Sequence, residues 1–529
     1  MNKEVFWLLF LSLLYICVVM LKDQYIVIED KQSILWKVVI LSSGLISVMT
    51  GIDKGESIYG FLRLFAYMIA AVAVQQLEEK DKQRILSIIP LLGVIFSVCS
   101  LFHECIIFQN WISMPTGRLA GPFEYPNTMA LFLVIGLVVA EYLWKRGKYI
   151  IQIFLMIGVL ATGCRTVFVI LCTYLFYRSI KSFGRNKSFI ILMIIVFLVM
   201  CMTVISGQGL YGLNRFMRLN IKESTFQGRL LYWEDAMRML LKHPFGLGYM
   251  GYFYLQQAEQ TGVYSVRFVH NEWLQWMLDY GIVAGVGLAM YIVRQFRQKK
   301  MEDMEKELLC VIAGCSSFDF HLQYTGIVLI VLLLFPRGDA ICSGSQLLRW
   351  RYVCFAGALI SAGFLSAAIT AQQFARYQDY EHAVRWNPLS AQYKQEFLLQ
   401  SEDLDRAADY ADQLLKDNQY LYVAYLIKSN AAAKEGKVDH FIENRKQVLR
   451  LRKYKVNEYE DYFRILISWY LKACTENNDE VMSQCREAMQ EIPEMIMDVK
   501  KQTSVRAYRI RQKPELNFNK EYEKVIRSL

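Results

Sequence analysis

The sequence predicts an all-α fold: a polytopic helical membrane protein of about twelve spans over residues 1–370, with an outer loop at 206–269, then a soluble helical-repeat domain over 371–529. Three observations lead there. Of 529 residues, 54% are hydrophobic and 20% charged, which fits neither a small soluble domain nor a disordered chain. Charge is uneven: residues 371–529 hold 26 basic and 25 acidic side chains, nearly half of all charged residues in under a third of the length. Apolar runs of membrane length recur up to about residue 370 and then stop.

Runs that can cross a bilayer lie near 5–21, 34–50, 57–77, 85–102, 128–144, 149–162, 166–180, 188–205, 281–296, 308–320, 322–335 and 352–370. The runs at 149–162 and 308–320 fall short of the roughly 20 residues a span needs, so their limits are soft. The run that follows Lys3 has no small-residue cleavage site and reads as a retained first span. Orientation comes from four basic loops: Lys145, Arg146 and Lys148; Arg178, Lys181, Arg185 and Lys187; Arg294, Arg297, Lys299 and Lys300; Arg337, Arg349 and Arg351. All four are predicted to be cytoplasmic. That places 103–127, the turn 163–165, the segment 206–269 and the tail outside, and twelve spans put the N-terminus outside too.

The tail is nearly neutral, so the net charge of +10 belongs almost wholly to the membrane part. Basic residues there fix orientation and meet lipid phosphates; nucleic acid is not an expected partner. Twelve cysteines are scattered without CxxC pairs, and ten precede residue 371, where they read as small lipid-compatible side chains. Whether Cys474 and Cys485 pair is left open by spacing. In the tail, Tyr393, Tyr425 and Tyr459 recur 32 and 34 residues apart, each after a turn-like stretch such as Trp386-Asn387-Pro388. This predicts degenerate tetratricopeptide-like hairpins, with an irregular helical bundle as the alternative. Such stacks bind protein partners or buttress a neighbouring domain.

The segment 206–269 is too long for a connector and too polar for a span, and long loops of this kind are usually functional. Gly228-Arg229-Leu230-Leu231-Tyr232-Trp233 opens an amphipathic helix with Leu230, Trp233, Met237 and Leu241 on one face. His243-Pro244-Phe245-Gly246-Leu247-Gly248 is a turn where backbone approaches a ligand or a membrane surface closely. His270-Asn271-Glu272-Trp273 starts a second amphipathic helix running through Asp279-Tyr280-Gly281.

This order resembles the signature of the bacterial O-antigen ligase and polymerase superfamily: a Gly-Arg-Leu-x-x-Trp helix start, a Pro-x-x-Gly-x-Gly turn, then His-Asn and a helix ending in an acidic residue before Gly. Two upstream stretches agree. Arg118-Leu119-Ala120-Gly121-Pro122-Phe123 with Pro126-Asn127 looks like the family's Arg-x-x-Gly-x-Phe-x-x-Pro-Asn, and Thr162-Gly163-Cys164-Arg165 like its Thr-x-Ser-Arg turn, with Cys164 replacing Ser. The resemblance covers about 110–335, and some relatives carry a tetratricopeptide-like tail.

The resemblance implies a multi-pass protein of the bacterial plasma membrane. Its implied reaction is inverting transfer of a glycan from an undecaprenyl-diphosphate carrier to a hydroxyl of a glycan, lipid, protein or wall-polymer acceptor at the outer face. It also implies the roles. Arg165 and Arg229, with Arg118 as a weaker third, hold the diphosphate, since fixed guanidinium groups stabilise a departing phosphate without a metal. His270 is the base, a role suited to imidazole near neutral pH. Asn271 orients the ring or the sugar.

Without the resemblance these residues read differently. An arginine in a short turn snorkels to lipid headgroups, Arg229 supports its helix end, and His270 caps or packs the helix it begins. Asp319 and His321, in an apolar hairpin, either reach the site or form a local pair. Arg63, within the third span, is an intramembrane functional charge or a partner of lipid phosphate. Trp233, Tyr249, Tyr252, Phe253, Trp273 and Trp276 either stack sugar rings or anchor at the interface. No HExxH, P-loop or GxGxxG after a strand occurs, so no metal, cofactor or nucleotide-sugar donor is expected. Two other classes remain: a transporter or flippase of lipid-linked glycan, with charges lining a path through the bundle, and a non-catalytic scaffold recruiting partners through its repeats.

Overall fold

The computed structural model describes residues 3–101, 117–181 and 224–529. The expected span at 188–205, residues 206–223 of the segment 206–269, Arg185 and Lys187, the last residue of the expected span 85–102 and residues 103–116 of the expected loop 103–127 lie outside the described residues. Every other expected span is occupied by helix. Among the described residues, Lys3–Lys22, Lys31–Thr50, Lys54–Gln75, Glu79–Cys99, Pro126–Leu143 and Leu347–Arg376 are long and apolar enough to cross a membrane. Lys148–Thr162, Ile282–Phe296 and Thr325–Leu334 are shorter and apolar. The chain is an all-α polytopic membrane protein, its membrane-length helices exposing apolar side chains along much of their length, Leu11, Leu35, Met49 and Phe355 among them.

The region expected as spans 308–320 and 322–335 differs in its limits. Helix Asp303–Ser316 begins earlier, with Asp303 and Glu305 in its first turn where the helix dipole favours acids. It ends before Asp319, and the chain then turns through a short 3-10 segment, His321–Gln323, before helix Thr325–Leu334. Asp319 and His321 thus lie in a connecting loop.

One end of the bundle gathers the basic clusters. Arg178 pairs with Glu307 at 3.3 Å, Lys181 with Asp303 at 2.8 Å and Lys148 with Glu141 at 3.3 Å. Arg294 reaches Asp30 at 3.3 Å, and Lys300 pairs with Asp339. Among the described residues the two strands, Tyr25–Ile28 and Ala340–Ser343, form one antiparallel ribbon at this same end.

The opposite end carries residues 224–269 and the tail. Three helix pairs follow one another in the tail: Ala391–Gln400 with Leu404–Asp417, Tyr422–Glu435 with Val438–Leu451, and Val456–Glu476 with Asp479–Gln502. Tyr393, Tyr425 and Tyr459 each fall in the opening turn of the first helix of a pair, which is why their spacing matches a hairpin period. Cys474 is exposed, Cys485 buried, and both are unpaired thiols.

The tail folds back on the bundle. The Lys54 ammonium donates to the Lys416 carbonyl at 2.8 Å. Asp53 caps helix Lys54–Gln75 by accepting the Glu56 amide at 2.9 Å, and Asn418 donates to its other oxygen at 3.0 Å. Because Asp53 and Asn418 are both buried, each depends on the other to satisfy its polar atoms. Asn418→Leu should therefore cost about 1–3 kcal/mol by stranding the carboxylate. The check is the unfolding temperature of the detergent-solubilised protein, which should fall; an unchanged value would deny that this contact holds the tail.

Candidate functional site

Asp319 is the hub of the end opposite the basic clusters. Its side chain is 4% exposed and accepts from the Tyr125 hydroxyl at 2.9 Å, Asn127 Nδ2 at 2.6 Å, Arg229 Nη2 at 3.1 Å, His270 Nδ1 at 3.0 Å and the Phe320 amide at 3.0 Å. A buried carboxylate persists only when its lone pairs are filled by donors, preferably charged ones. Burial disfavours its charge, yet the His270 ring and the Arg229 guanidinium hold the carboxyl well below the usual carboxylate range.

The five donors come from four stretches of the chain. Tyr125 and Asn127 flank Pro126, which sits in the first turn of helix Pro126–Leu143, where its missing N–H costs nothing. The approach needs left-handed backbone at Gly121 (φ +54°) and at Glu124 (φ +54°). Arg229 projects from helix Ser224–Lys242. His270 itself has φ +54°, a strained state for a residue with Cβ, costing on the order of 1–3 kcal/mol. Its neighbours hold it there: the Val269 amide donates to Gln275 Oε1 at 2.9 Å, and the Trp233 indole donates to the Val269 carbonyl at 3.0 Å.

The predicted residues are brought together to different degrees. Arg229 and His270 meet directly on Asp319. Arg165 joins them through a crossed pair: Arg165 Nη2 donates to Thr225 Oγ1 at 3.2 Å, while Arg229 Nη1 donates to Thr166 Oγ1 at 3.3 Å. Arg118 stands one link further out, donating to the Thr162 carbonyl at 2.7 Å and to Asn127 Oδ1 at 3.0 Å. Asn271 is a helix cap, accepting the Leu274 amide at 3.0 Å, a role that occupies its side-chain oxygen.

Sequence reasoning left Asp319 unassigned, although an acid in an apolar hairpin was the available signal. It also missed Tyr125 and Thr166. His321 does not pair with Asp319 as a local alternative required; its Nδ1 meets Thr128 Oγ1 at 3.1 Å, and burial pushes its imidazole down to about 4, leaving it neutral. Arg63 meets neither open expectation in its simple form. It donates to Gln323 Oε1 at 2.6 Å and to the Leu322 carbonyl at 3.0 Å, while Glu272 accepts Gln323 Nε2 at 2.7 Å and the Leu322 amide at 3.2 Å. This buried network clamps the loop that presents Asp319.

Of the aromatic set, Tyr249, Tyr252 and Trp276 are buried in the protein, and Trp273 donates to Ser317 Oγ at 3.0 Å. The ring nearest His270 is Phe320, with centroids 5.0 Å apart, and Phe320 in turn stacks on Tyr125 at 4.7 Å. Among the described residues no group of three His, Cys, Asp or Glu side chains is placed to hold a metal ion.

Chemically, the arrangement couples an oriented imidazole to guanidinium groups that are only partly covered: His270 is 20% and Arg229 19% exposed. No curated protein and no solved structure matches the chain. Residues 150–289 match the family described as O-antigen ligase, a region that contains Arg165, Arg229 and His270 and stops short of Arg118, Asp319 and the tail. The match supports a place in the wider O-antigen ligase superfamily and, with it, glycosyl transfer in surface polysaccharide assembly by a multi-pass membrane protein.

Proposed function

We propose that the chain transfers a glycan, with inversion and without a metal, from an undecaprenyl-diphosphate carrier to an acceptor hydroxyl at the outer face of the plasma membrane. The observation that carries this reading is the single carboxylate of Asp319 joining Arg229 and His270 at 3.1 and 3.0 Å. The end of the bundle that bears the site lies opposite the basic clusters, and basic loops favour the cytoplasmic side, so the site and the tail face outward.

Asp319 accepts from Nδ1 of His270, which fixes the tautomer and leaves Nε2 as the basic nitrogen. The acceptor hydroxyl gives its proton to Nε2 as its oxygen attacks the anomeric carbon from the face opposite the phosphate. The bond from that carbon to the phosphate oxygen breaks, and the lipid diphosphate leaves with both electrons. Arg229 and Arg165 hold that group, their charges stabilising it as it departs. Arg118 adds positive field from one step away. The crossed threonine contacts hold the two arginines in place before the substrate arrives, so little reorganisation is needed.

His270→Ala should lower product formation by roughly a hundredfold to ten-thousandfold while the protein still inserts and expresses. Full activity in that variant would rule out the base. Arg229→Lys should lose at least tenfold, because one point charge does not reproduce a two-nitrogen grip on Asp319 and Thr166. Asp319→Asn tests the orienting carboxylate. It keeps the shape but turns an acceptor toward the ring into a mixed donor and acceptor, and turnover should fall about a hundredfold or more; retention of activity would detach Asp319 from the chemistry. Chain length on an electrophoretic ladder from a deletion strain distinguishes polymerisation on the carrier from ligation to a foreign acceptor. A transporter or a scaffold would keep its function in all three variants.

A further inference from the structure

Helix Ser224–Lys242 has two apolar faces. Of the face marked by its periodicity, Trp233 packs inward, its indole on the Val269 carbonyl, while Met237 and Leu241 do not. Leu231, Ala236, Met239 and Leu240 are the buried set, while Met237 is 46% and Leu241 71% exposed. The stripe runs on into the following turn, where Phe245 is 58% exposed.

An apolar stripe of this kind facing water would be anomalous on a folded protein. Its position says what covers it. The turn carrying Phe245 is stitched to the outer ends of two membrane helices. Thr50 Oγ1 donates to the Gly246 carbonyl at 3.1 Å, the Ile52 amide to the Leu247 carbonyl at 2.8 Å, and the Ile282 amide to the Pro244 carbonyl at 2.9 Å. On those helices the neighbouring outward side chains are Met49, 86% exposed, and Val283, also exposed. Phe245 therefore continues the lipid-facing belt of helices Lys31–Thr50 and Ile282–Phe296, and Leu241 and Met237 extend it along the helix. Arg238 and Lys242, exposed beside the stripe and paired with Asp235 and Glu259, border it with charge.

We propose that this stripe is a membrane-contact surface: the C-terminal half of helix Ser224–Lys242 lies in the outer leaflet, with Met237, Leu241 and Phe245 among the acyl chains. The same helix holds Arg229 at its other end, about 18 Å along the axis from Leu241. The bilayer thus becomes one of the supports that set the position of that guanidinium. The inference rests on the membrane placement of the bundle and is independent of the reaction assigned to the site.

The test uses the full chain in nanodiscs, with an environment-sensitive fluorescent residue incorporated in turn at Leu241, at Met49 as the lipid reference and at Arg511 as the exposed reference in the tail. Phosphatidylcholine with brominated acyl chains should quench Leu241 and Met49 to a similar extent and leave Arg511 unaffected, while aqueous iodide should quench only Arg511. Iodide quenching at Leu241 matching that at Arg511 would overturn the proposal. So would protection of Leu241 from both quenchers, which would mean that protein covers the stripe.

Discussion

The end of the bundle opposite the basic clusters is organised around one buried negative charge. Asp319 sits where four separate stretches of chain converge, those of Tyr125 and Asn127, Arg229, His270 and its own loop, and it is the acceptor for all of them. Removing a carboxylate from water costs several kcal/mol unless donors replace the lost hydration. The folded arrangement that supplies them is the one that aligns the arginine and the histidine. Local strain at His270 is tolerated for the same reason, since the contact with Asp319 and the fixed Val269 on its other side leave the residue no cheaper conformation. Assembly of the site and completion of the fold are therefore one event at this end.

Around that centre the support comes from beyond the matched region. Arg506, near the end of the tail, donates to Glu234 Oε1 at 3.0 Å and to Gln227 Oε1 at 2.7 Å, two acceptors that bracket Arg229 on its helix. The Ser504 amide donates to the Thr261 carbonyl at 2.9 Å, and Lys453 donates to the Ala258 carbonyl at 2.8 Å. Ala507 is fully buried with Leu231, and a Cβ on Gly262 would meet both within 3 Å. Through these contacts the helical tail presses on the helix that presents the arginine.

Much of this was legible in the sequence because it depends on local rules. Span positions followed from run length, and the described members of the four basic clusters gather at one end. Motif order singled out His270 and Arg229, which the fold brings together on Asp319. Harder to read was whatever depends on long-range pairing. Asp319 looks the same in sequence whether it pairs locally or receives an arginine 90 residues away. What each residue of the apolar face of helix Ser224–Lys242 packs against was hidden for a related reason: periodicity marks an apolar side, but which of its side chains meet protein depends on where the helix and the turn at Pro244–Leu247 are tied down. Asn271 illustrates a third limit, since a side chain next to a functional one is as readily a cap as a ligand.

Arg63 carries the reasoning one step further, because it is costly to bury and touches none of the groups assigned to the chemistry. Its guanidinium faces the Tyr249 ring at 5.2 Å, lies beside Tyr67, and reaches Leu322 and Gln323. Glu272 grips the same two residues from the helix that starts just after His270. A buried cation and a buried acid joined through a bridging amide are weak evidence for stability, since apolar residues of equal volume would do as well or better. Their geometric consequence is more specific. Leu322 and Gln323 follow Asp319 by three and four residues, and Glu272 follows His270 by two, so the network fixes the separation of the two segments whose side chains must meet at 3.0 Å. An apolar replacement would pack without specifying that register. The intramembrane charge is thus best understood as what keeps the carboxylate opposite the imidazole.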